Sequence, residues 1–363
     1  MHAQADQGFP WHGIRGQAAV FEQFERSLQR DRLASTYLFV GPPGVGKRST
    51  ALAMARALLC ESRKETELTA CGVCGACTQV LAGTHPDLEV VCKPADRTWI
   101  PLELFIGDRE NRMREGLCHN LSLKPFRGGR KIAIIDDADY LNPEGANCLL
   151  KTLEEPPPRS VLILIGTSPQ RQLPTIRSRC QIIRFRPLEQ TVLADLIQGQ
   201  GLISDRDAAL ELARWADGSL QRAIEYSHPA VREFRSRLLS QLAKGDFWSP
   251  EFLKELDAFI ESAGKEAPPR RKHLRLAIGF ALQFYRELLR ALSGAEVRGD
   301  EVRGDEALVS AVAKVQQVGF SDVEHVARCI DCCLELLADI DANAHITAVS
   351  DVWLDEVTQL AGS

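Results

Sequence analysis

The chain is constrained most by one glycine loop. Gly41-Pro-Pro-Gly44-Val-Gly46-Lys47 follows the apolar run Tyr37 to Val40 and precedes a stretch in which Ala51, Leu52, Met54, Ala55, Leu58 and Leu59 share one helical face. A buried strand, a loop freed by glycines and a helix form the order in which successive backbone amides and a helix N-terminus converge on a phosphate. The loop fits the first seven positions of the P-loop pattern, so an α/β fold is expected around it. The eighth position should carry the Ser or Thr hydroxyl that binds magnesium, but it is Arg48, and Ser49 comes one residue too late. Gly41, Gly44, Gly46, Lys47, Arg48 and Ser49 are the candidate nucleotide-binding residues, with ATP or ADP as ligand at a degraded site. The competing reading is a glycine turn that binds nothing.

Further short apolar runs at Leu88 to Val91, Ile132 to Ile135, Val161 to Ile165 and Ile182 to Phe185 have the length of buried parallel strands, with helical segments between them. Gln17 to Arg30 has helical spacing before the first strand. After Pro187 the strand pattern stops. Thr191 to Ile197, Asp205 to Ala216 and Leu220 to Tyr226 form a small helical group, and from about Phe247 long helical patterns run at Arg271 to Leu292, Ala307 to Val318 and Val323 to Ile340. A length of 363 residues exceeds one core. The expected division is residues 1–187 as α/β P-loop core, 188–245 as a small helical domain and 246–363 as an all-α domain. Glu296 to Asp305 is Glu-Val-Arg-Gly-Asp written twice, and is expected as a solvated loop, as is the charged stretch Glu61 to Glu67.

A second candidate site lies at the acidic end of Lys131-Ile-Ala-Ile-Ile-Asp136-Asp137-Ala-Asp139. A P-loop fold places there a magnesium-associated Asp and then a water-activating acid, which gives Asp136 the first role and Asp137 the second. Asp137 is one methylene shorter than Glu, which sets a base back from an attacking water. The structural alternative has these acids end the strand, with Asp139 capping a helix that begins near Pro143.

No run approaches the roughly 20 apolar residues of a membrane helix, and Met1 to Trp11 lack a charged-then-apolar leader pattern, so a cytoplasmic place is expected. In such a reducing compartment the eleven cysteines are metal ligands or buried small apolar groups before they are disulfides. Cys60, Cys71, Cys74 and Cys77 combine two consecutive Cys-x-x-Cys steps with a lone Cys upstream, ten residues intervening. Four thiolates suit tetrahedral zinc in a closed, structural site that holds an insertion at about residues 60–77. A ferredoxin-type cluster would need another cysteine after Cys77, where Leu81 and Ala82 stand. The net charge of −5 does not favour DNA, so DNA contact would need a local basic face or partner subunits. Lys124, Arg127, Arg130 and Lys131 stay open between a DNA-facing patch and a solvated charged loop.

Three further strings carry a resemblance. Trp11-His-Gly-Ile-Arg-Gly16-Gln17, Asn147-Cys-Leu-Leu-Lys-Thr-Leu-Glu-Glu-Pro156-Pro157 and Ser178-Arg179-Cys180 resemble the opening box, the helix after the acidic strand and the signature tripeptide of the bacterial clamp-loader branch of the AAA+ ATPases, most nearly its delta-prime type. The resemblance is close over residues 11 to 187 and beyond that rests on Gly218-Ser219 and the helix order. It implies an AAA+ core, lid and collar, and assembly into a hetero-oligomer with gamma/tau and delta subunits. That assembly would load the sliding clamp onto primed DNA for DNA polymerase III. It implies that Arg179 is an arginine finger acting in trans on a gamma/tau ATP site, where a guanidinium stabilises growing phosphate charge. Thr167 falls at the first sensor position, and Gln221 stands where active members carry the second-sensor arginine, with Arg222 one step on. Arg48, Asp137 and Gln221 all weaken the chain's own ATPase while leaving the finger. The rivals are a gamma/tau-type motor, which would want Ser or Thr at Arg48, and a non-replicative scaffold on an inactive P-loop fold, against which the Ser-Arg-Cys tripeptide stands.

Overall fold

A computed structural model describes residues 13–30, 32–94, 96–127, 129–244, 250–294, 305–317, 322–342 and 344–361, with the side chains of 250, 251 and 354–361 left aside. Trp11 and His12 of the opening box, and the repeat from Glu296 as far as residue 304, lie outside the described residues. The chain forms two compact units, one of residues 1–196 with 217–221, the other of residues 197–216 with 222–363.

The first unit is built on a parallel sheet of β1 (Thr36–Val40), β2 (Leu88–Val91), β3 (Lys131–Ile135), β4 (Ser160–Gly166) and β5 (Gln181–Arg184), ordered β2-β3-β4-β1-β5. β1, rich in aromatic and branched residues, is buried along its whole length between β4 and β5, with Leu38 opposite Leu164 and Ile182. Strands covered on both faces need continuous apolar runs, which is why these segments show no alternation. α1 (Ala18–Gln29) and α2 (Lys47–Leu58) cover one face, where Phe24, Tyr37, Phe39, Met54 and Phe185 meet. Phe39 and Phe185 rings lie 5.1 Å apart, within the range of a favourable aromatic pair. α3 (Gly75–Leu81), α4 (Glu103–Ile106), α5 (Leu117–Ser122), α6 (Pro143–Glu154) and α7 (Pro174–Arg177) complete this unit with the first part of α8 (Gln190–Gly199). The other face of the sheet buries Phe105, Leu117, Leu149, Leu153 and Ile176. Every strand is parallel, so the loops after β1, β3 and β4 emerge along one edge of the sheet, and that edge carries the glycine loop, the acids and Thr167.

Asn142, not Asp139, caps α6: its Oδ1 accepts from the Gly145 amide at 2.7 Å, with Pro143 at the first helical position. Asp139 is otherwise engaged, as described below.

The second unit is helical: α9 (Arg206–Trp215), most of α10 (Leu220–Ser227), α11 (Pro229–Leu242), α12 (Pro250–Ser262), α13 (Ala267–Leu292), α14 (Glu306–Gln317), α15 (Val323–Asp341) and α16 (Ile346–Ala361). α13 is its spine, burying Leu274, Ile278, Phe284, Tyr285 and Leu288, and packs chiefly on α15, whose Cys329, Cys332 and Cys333 are buried thiols. Each fully buried Leu or Phe adds about 1.5–3 kcal/mol. A charge is buried in this apolar setting. The Arg235 side chain is 3% exposed, lies over the Trp215 ring at 4.5 Å and pairs with Asp305, the last residue of the repeated pentad. That Asp also accepts from the Leu308 amide at 3.1 Å and so caps α14. The end of the repeat is therefore an anchor, not only a solvated loop.

Candidate functional site

The glycine loop turns sharply because its three glycines hold positive φ, 150° at Gly41, 74° at Gly44 and 96° at Gly46. A Cβ on Gly44 would meet Ser219 Oγ at 2.2 Å and Gln221 Cβ at 2.7 Å, and the Leu220 amide donates to the Gly44 carbonyl at 3.0 Å. Gln221 thus lies against the loop, at the place where the resemblance puts the second sensor. Gln17, 7% exposed, ties the same loop down by donating to the carbonyls of Val45 at 3.2 Å and Arg186 at 2.8 Å. Nothing in its spacing predicted that bond, although the opening box contains it.

Lys47 folds back on its own loop. Its Nζ donates to the carbonyls of Gly41 and Pro42, both at 2.6 Å. Burial lowers its affinity for the proton, and Asp136, Asp139 and Asp137 counteract this. A phosphate would have to take this ammonium over from the two carbonyls. Arg48 and Ser49 are both exposed on the first turn of α2, and Arg48 Nη1 lies 3.0 Å from Asp136 Oδ2. Asp136 Oδ1 accepts from the Asp137 amide at 3.1 Å. Asp137 sits at φ 58°, a left-handed conformation that Asp tolerates better than most residues. Burial, then the neighbouring Asp136 charge, pushes the Asp137 carboxyl up from the usual range.

Thr167, just past β4, donates its hydroxyl to Asp139 Oδ2 at 2.5 Å, and its amide donates to the same oxygen at 2.8 Å. Gln172 Nε2 donates to Asp139 Oδ1 at 2.7 Å. Gly166 makes room for this cluster, since a Cβ there would meet Asp139 Oδ1 at 2.6 Å. The structure therefore brings Gly41, Gly44, Gly46, Lys47, Arg48, Asp136, Asp137 and Thr167 to one sheet edge. The residues fit a phosphate cradle. They do not fit magnesium, because the hydroxyl ligand is missing and a guanidinium engages Asp136.

Arg179 stands apart, two residues beyond α7. Thr36 Oγ1 donates to its carbonyl at 2.6 Å, which fixes the backbone. Cys180 packs on the core, and burial pushes its thiol up to about 12. The guanidinium is at the surface, donating to Glu154 Oε1 at 2.6 Å, the Thr175 carbonyl at 3.0 Å and Ser178 Oγ at 3.2 Å. Glu154 is the last residue of α6 and belongs to the Leu-Glu-Glu-Pro string. Spacing alone gave no sign that it would meet Arg179.

The four cysteines of the insertion converge. Their Sγ atoms all lie within 4.8 Å of one another, with Cys60 and Cys74 at 4.0 Å and Cys71 and Cys77 at 3.9 Å. A regular tetrahedron of sulfurs about 2.3 Å from zinc has edges of about 3.8 Å, so the set fits that ion. Cys60 follows α2, Cys74 caps α3 and Cys77 lies in its first turn. The amides of Cys71, Cys74 and Cys77 donate to the sulfurs of Cys60, Cys71 and Cys74 at 3.3, 3.3 and 3.5 Å. Such bonds favour thiolate, and the Val73 and Cys74 amides hold the Cys71 thiol down to about 6.

The basic run does not form a free patch. Arg127 pairs with Glu61, Arg130 with Glu65 at 2.9 Å and Lys131 with buried Asp87 at 3.7 Å, leaving Lys124 exposed. These pairs tie the charged stretch after Cys60 to the start of β3.

The family described as DNA polymerase III, delta subunit, matches residues 16–189. DNA polymerase III subunit delta' of Pseudomonas aeruginosa is 34% identical over 237 residues, 65% of this chain and 66% of that protein. DNA polymerase III subunit tau of Escherichia coli is 30% identical over 259 residues, 69% of this chain and 38% of that protein. The chain thus spans just under two thirds of the first relative and well under half of the second. The delta' subunit of Bacillus subtilis is 30% identical over 292 residues, 77% of this chain and 79% of that protein. With the P-loop α/β core and the Ser178-Arg179-Cys180 tripeptide in place, these matches put the chain in the DNA polymerase III delta' family, the delta-prime branch of the bacterial clamp loaders.

Proposed function

We propose that this chain is a stator of the clamp loader. It supports ATP-dependent loading of the sliding clamp onto primed DNA, and supplies Arg179 in trans to the ATP site of a neighbouring gamma/tau subunit. The observation that carries the reading is a contrast between two sites. Arg179 is surface-held on a fixed backbone, its guanidinium matched only by exposed or half-exposed partners, whereas the chain's own P-loop has Arg48 on the acid that magnesium would need. A finger must exchange its resting partner for a phosphate. An exposed ion pair is worth about 0–1 kcal/mol, so Glu154 holds Arg179 without trapping it.

In this reading the core of residues 1–187 carries the finger and a structural zinc on Cys60, Cys71, Cys74 and Cys77, residues 188–245 act as lid, and residues 246–363 form the collar that joins gamma/tau and delta. Zinc would supply cross-linking, not catalysis, since four thiolates leave no open position. The protein would work in the cytoplasm as part of a hetero-oligomer, and no helix among the described residues is long and apolar enough to cross a membrane. ATP or ADP, if held at Gly41, Gly44, Gly46, Lys47 and Ser49, would not turn over efficiently, because Asp136 is engaged and the hydroxyl of Thr167 is spent on Asp139. The gamma/tau motor reading is disfavoured by the same contacts. The test is DNA-stimulated ATPase of the complex reconstituted with Arg179→Ala, which is expected to lose turnover while the assembled complex stays intact on gel filtration.

A further inference from the structure

An active P-loop shares one magnesium ion between the hydroxyl that follows its lysine and the carboxylate at the end of the adjacent strand. Here the residue that follows Lys47 is Arg48, and its guanidinium sits 3.0 Å from Asp136 Oδ2, across 88 residues of sequence. The second Asp136 oxygen accepts from the Asp137 amide. Both oxygens of the carboxylate are therefore met by protein donors, and its side chain is 17% exposed. Asp139 offers no alternative, since it accepts from Thr167 and Gln172 on both oxygens. Asp137 is exposed and held at φ 58°, and desolvation, to which the neighbouring Asp136 charge adds, pushes its carboxyl up from the usual range.

We propose that Arg48 is a built-in substitute for the magnesium ion, neutralising Asp136 and excluding a divalent cation from the P-loop. Magnesium requires oxygen ligands at about 2.0–2.1 Å in octahedral array. A guanidinium has five N–H donors and no lone pair to give, so it removes one ligand from the site and adds a repelling charge beside another. The outcome is a phosphate cradle uncoupled from divalent metal. Arg48 is exposed on the first turn of α2 and is not among the residues of the buried core, so one substitution should reverse the effect. The inference concerns the chain's own loop and is independent of Arg179, whose trans role is tested by the complex.

The experiment is binding of a fluorescent ATP analogue to the full chain, with magnesium and with EDTA, in the wild type, in Arg48→Thr and in the double variant Arg48→Thr with Asp136→Asn. Magnesium is expected to change wild-type binding by less than about threefold, including the case of no detectable binding in either buffer. It is expected to tighten binding to Arg48→Thr by about tenfold or more, a gain that the added Asp136→Asn removes. The proposal is overturned if magnesium tightens wild-type binding beyond that limit, if folded Arg48→Thr fails to gain, or if its gain survives Asp136→Asn. Thermal melting shows whether Arg48→Thr is folded. Should it not be, manganese paramagnetic resonance on the wild type with ATP decides: no protein-bound manganese–ATP signal supports the proposal, and such a signal overturns it.

Discussion

Replacing Asp305 by Asn removes the counter-charge of a buried guanidinium while keeping the helix cap. Arg235 and Asp305 side chains are 3% and 12% exposed, so neither charge has bulk water to fall back on. Asn is as good a cap as Asp, so the bond to the Leu308 amide survives and the loss isolates the charge. Breaking a buried ion pair from one side costs about 3–5 kcal/mol. The Trp215 and Phe280 rings, 4.5 and 5.6 Å from the guanidinium carbon, hold the cation in both proteins, so their contribution cancels in the difference. The low end of that range, about 3 kcal/mol, is the expected cost. At about 2–4 °C per kcal/mol for a unit of this size, the melting midpoint of the helical unit should fall by about 6–12 °C. Far-ultraviolet circular dichroism follows it, since that unit is almost wholly helical. Adding Arg235→Leu to Asp305→Asn removes the orphaned charge and should recover a substantial part of the loss. A variant Asp305→Asn that melts within about 2 °C of the wild type would refute the reasoning, because the pair would then be solvated in solution.

Metal analysis of protein purified without chelator should find one zinc per chain, and Cys74→Ser should fall well below one equivalent. Stripping the metal should speed amide exchange across residues 60–81 and leave β1, β3 and β4 protected, because the sheet packs on its own two apolar faces; unchanged exchange in 60–81 would contradict a structural zinc. Gly166→Ala should cost about 1–3 kcal/mol in chemical denaturation, since the new Cβ would press on Asp139 Oδ1 and Gln172 Nε2 and break the bonds to Thr167; a neutral change would show that the Asp139 cluster moves freely.

The local patterns of this chain were readable because they are local. The five strands follow from apolar runs bounded by turns, and the P-loop and the cysteine ligands lie within short segments whose spacing carries the chemistry. What the sequence hid are pairings made by the fold. Arg48 with Asp136, Arg179 with Glu154 and Arg235 with Asp305 lie 88, 25 and 70 residues apart, and nothing in either local string names the other. The run at Lys124 to Lys131 left two readings open because its acids come from Glu61, Glu65 and Asp87, on the far side of a loop and a strand. The alternative reading of Asp139 as the cap of α6 fails for a related reason. Asn142 is nearer to α6, and Thr167 reaches Asp139 only because β3 and β4 are neighbours.

The central claim is that this chain acts on a neighbour's ATP and not on its own. DNA-stimulated ATPase of the complex with gamma/tau, delta, clamp and primed DNA tests it most directly, comparing the wild type with Arg179→Ala and with each subunit alone. The account predicts that the isolated chain is nearly inactive and that Arg179→Ala lowers turnover of the intact complex by about tenfold or more, within the large effect that trans-acting arginines have on phosphoryl transfer. Hydrolysis by the isolated chain, together with unchanged turnover in a fully assembled Arg179→Ala complex, would contradict it.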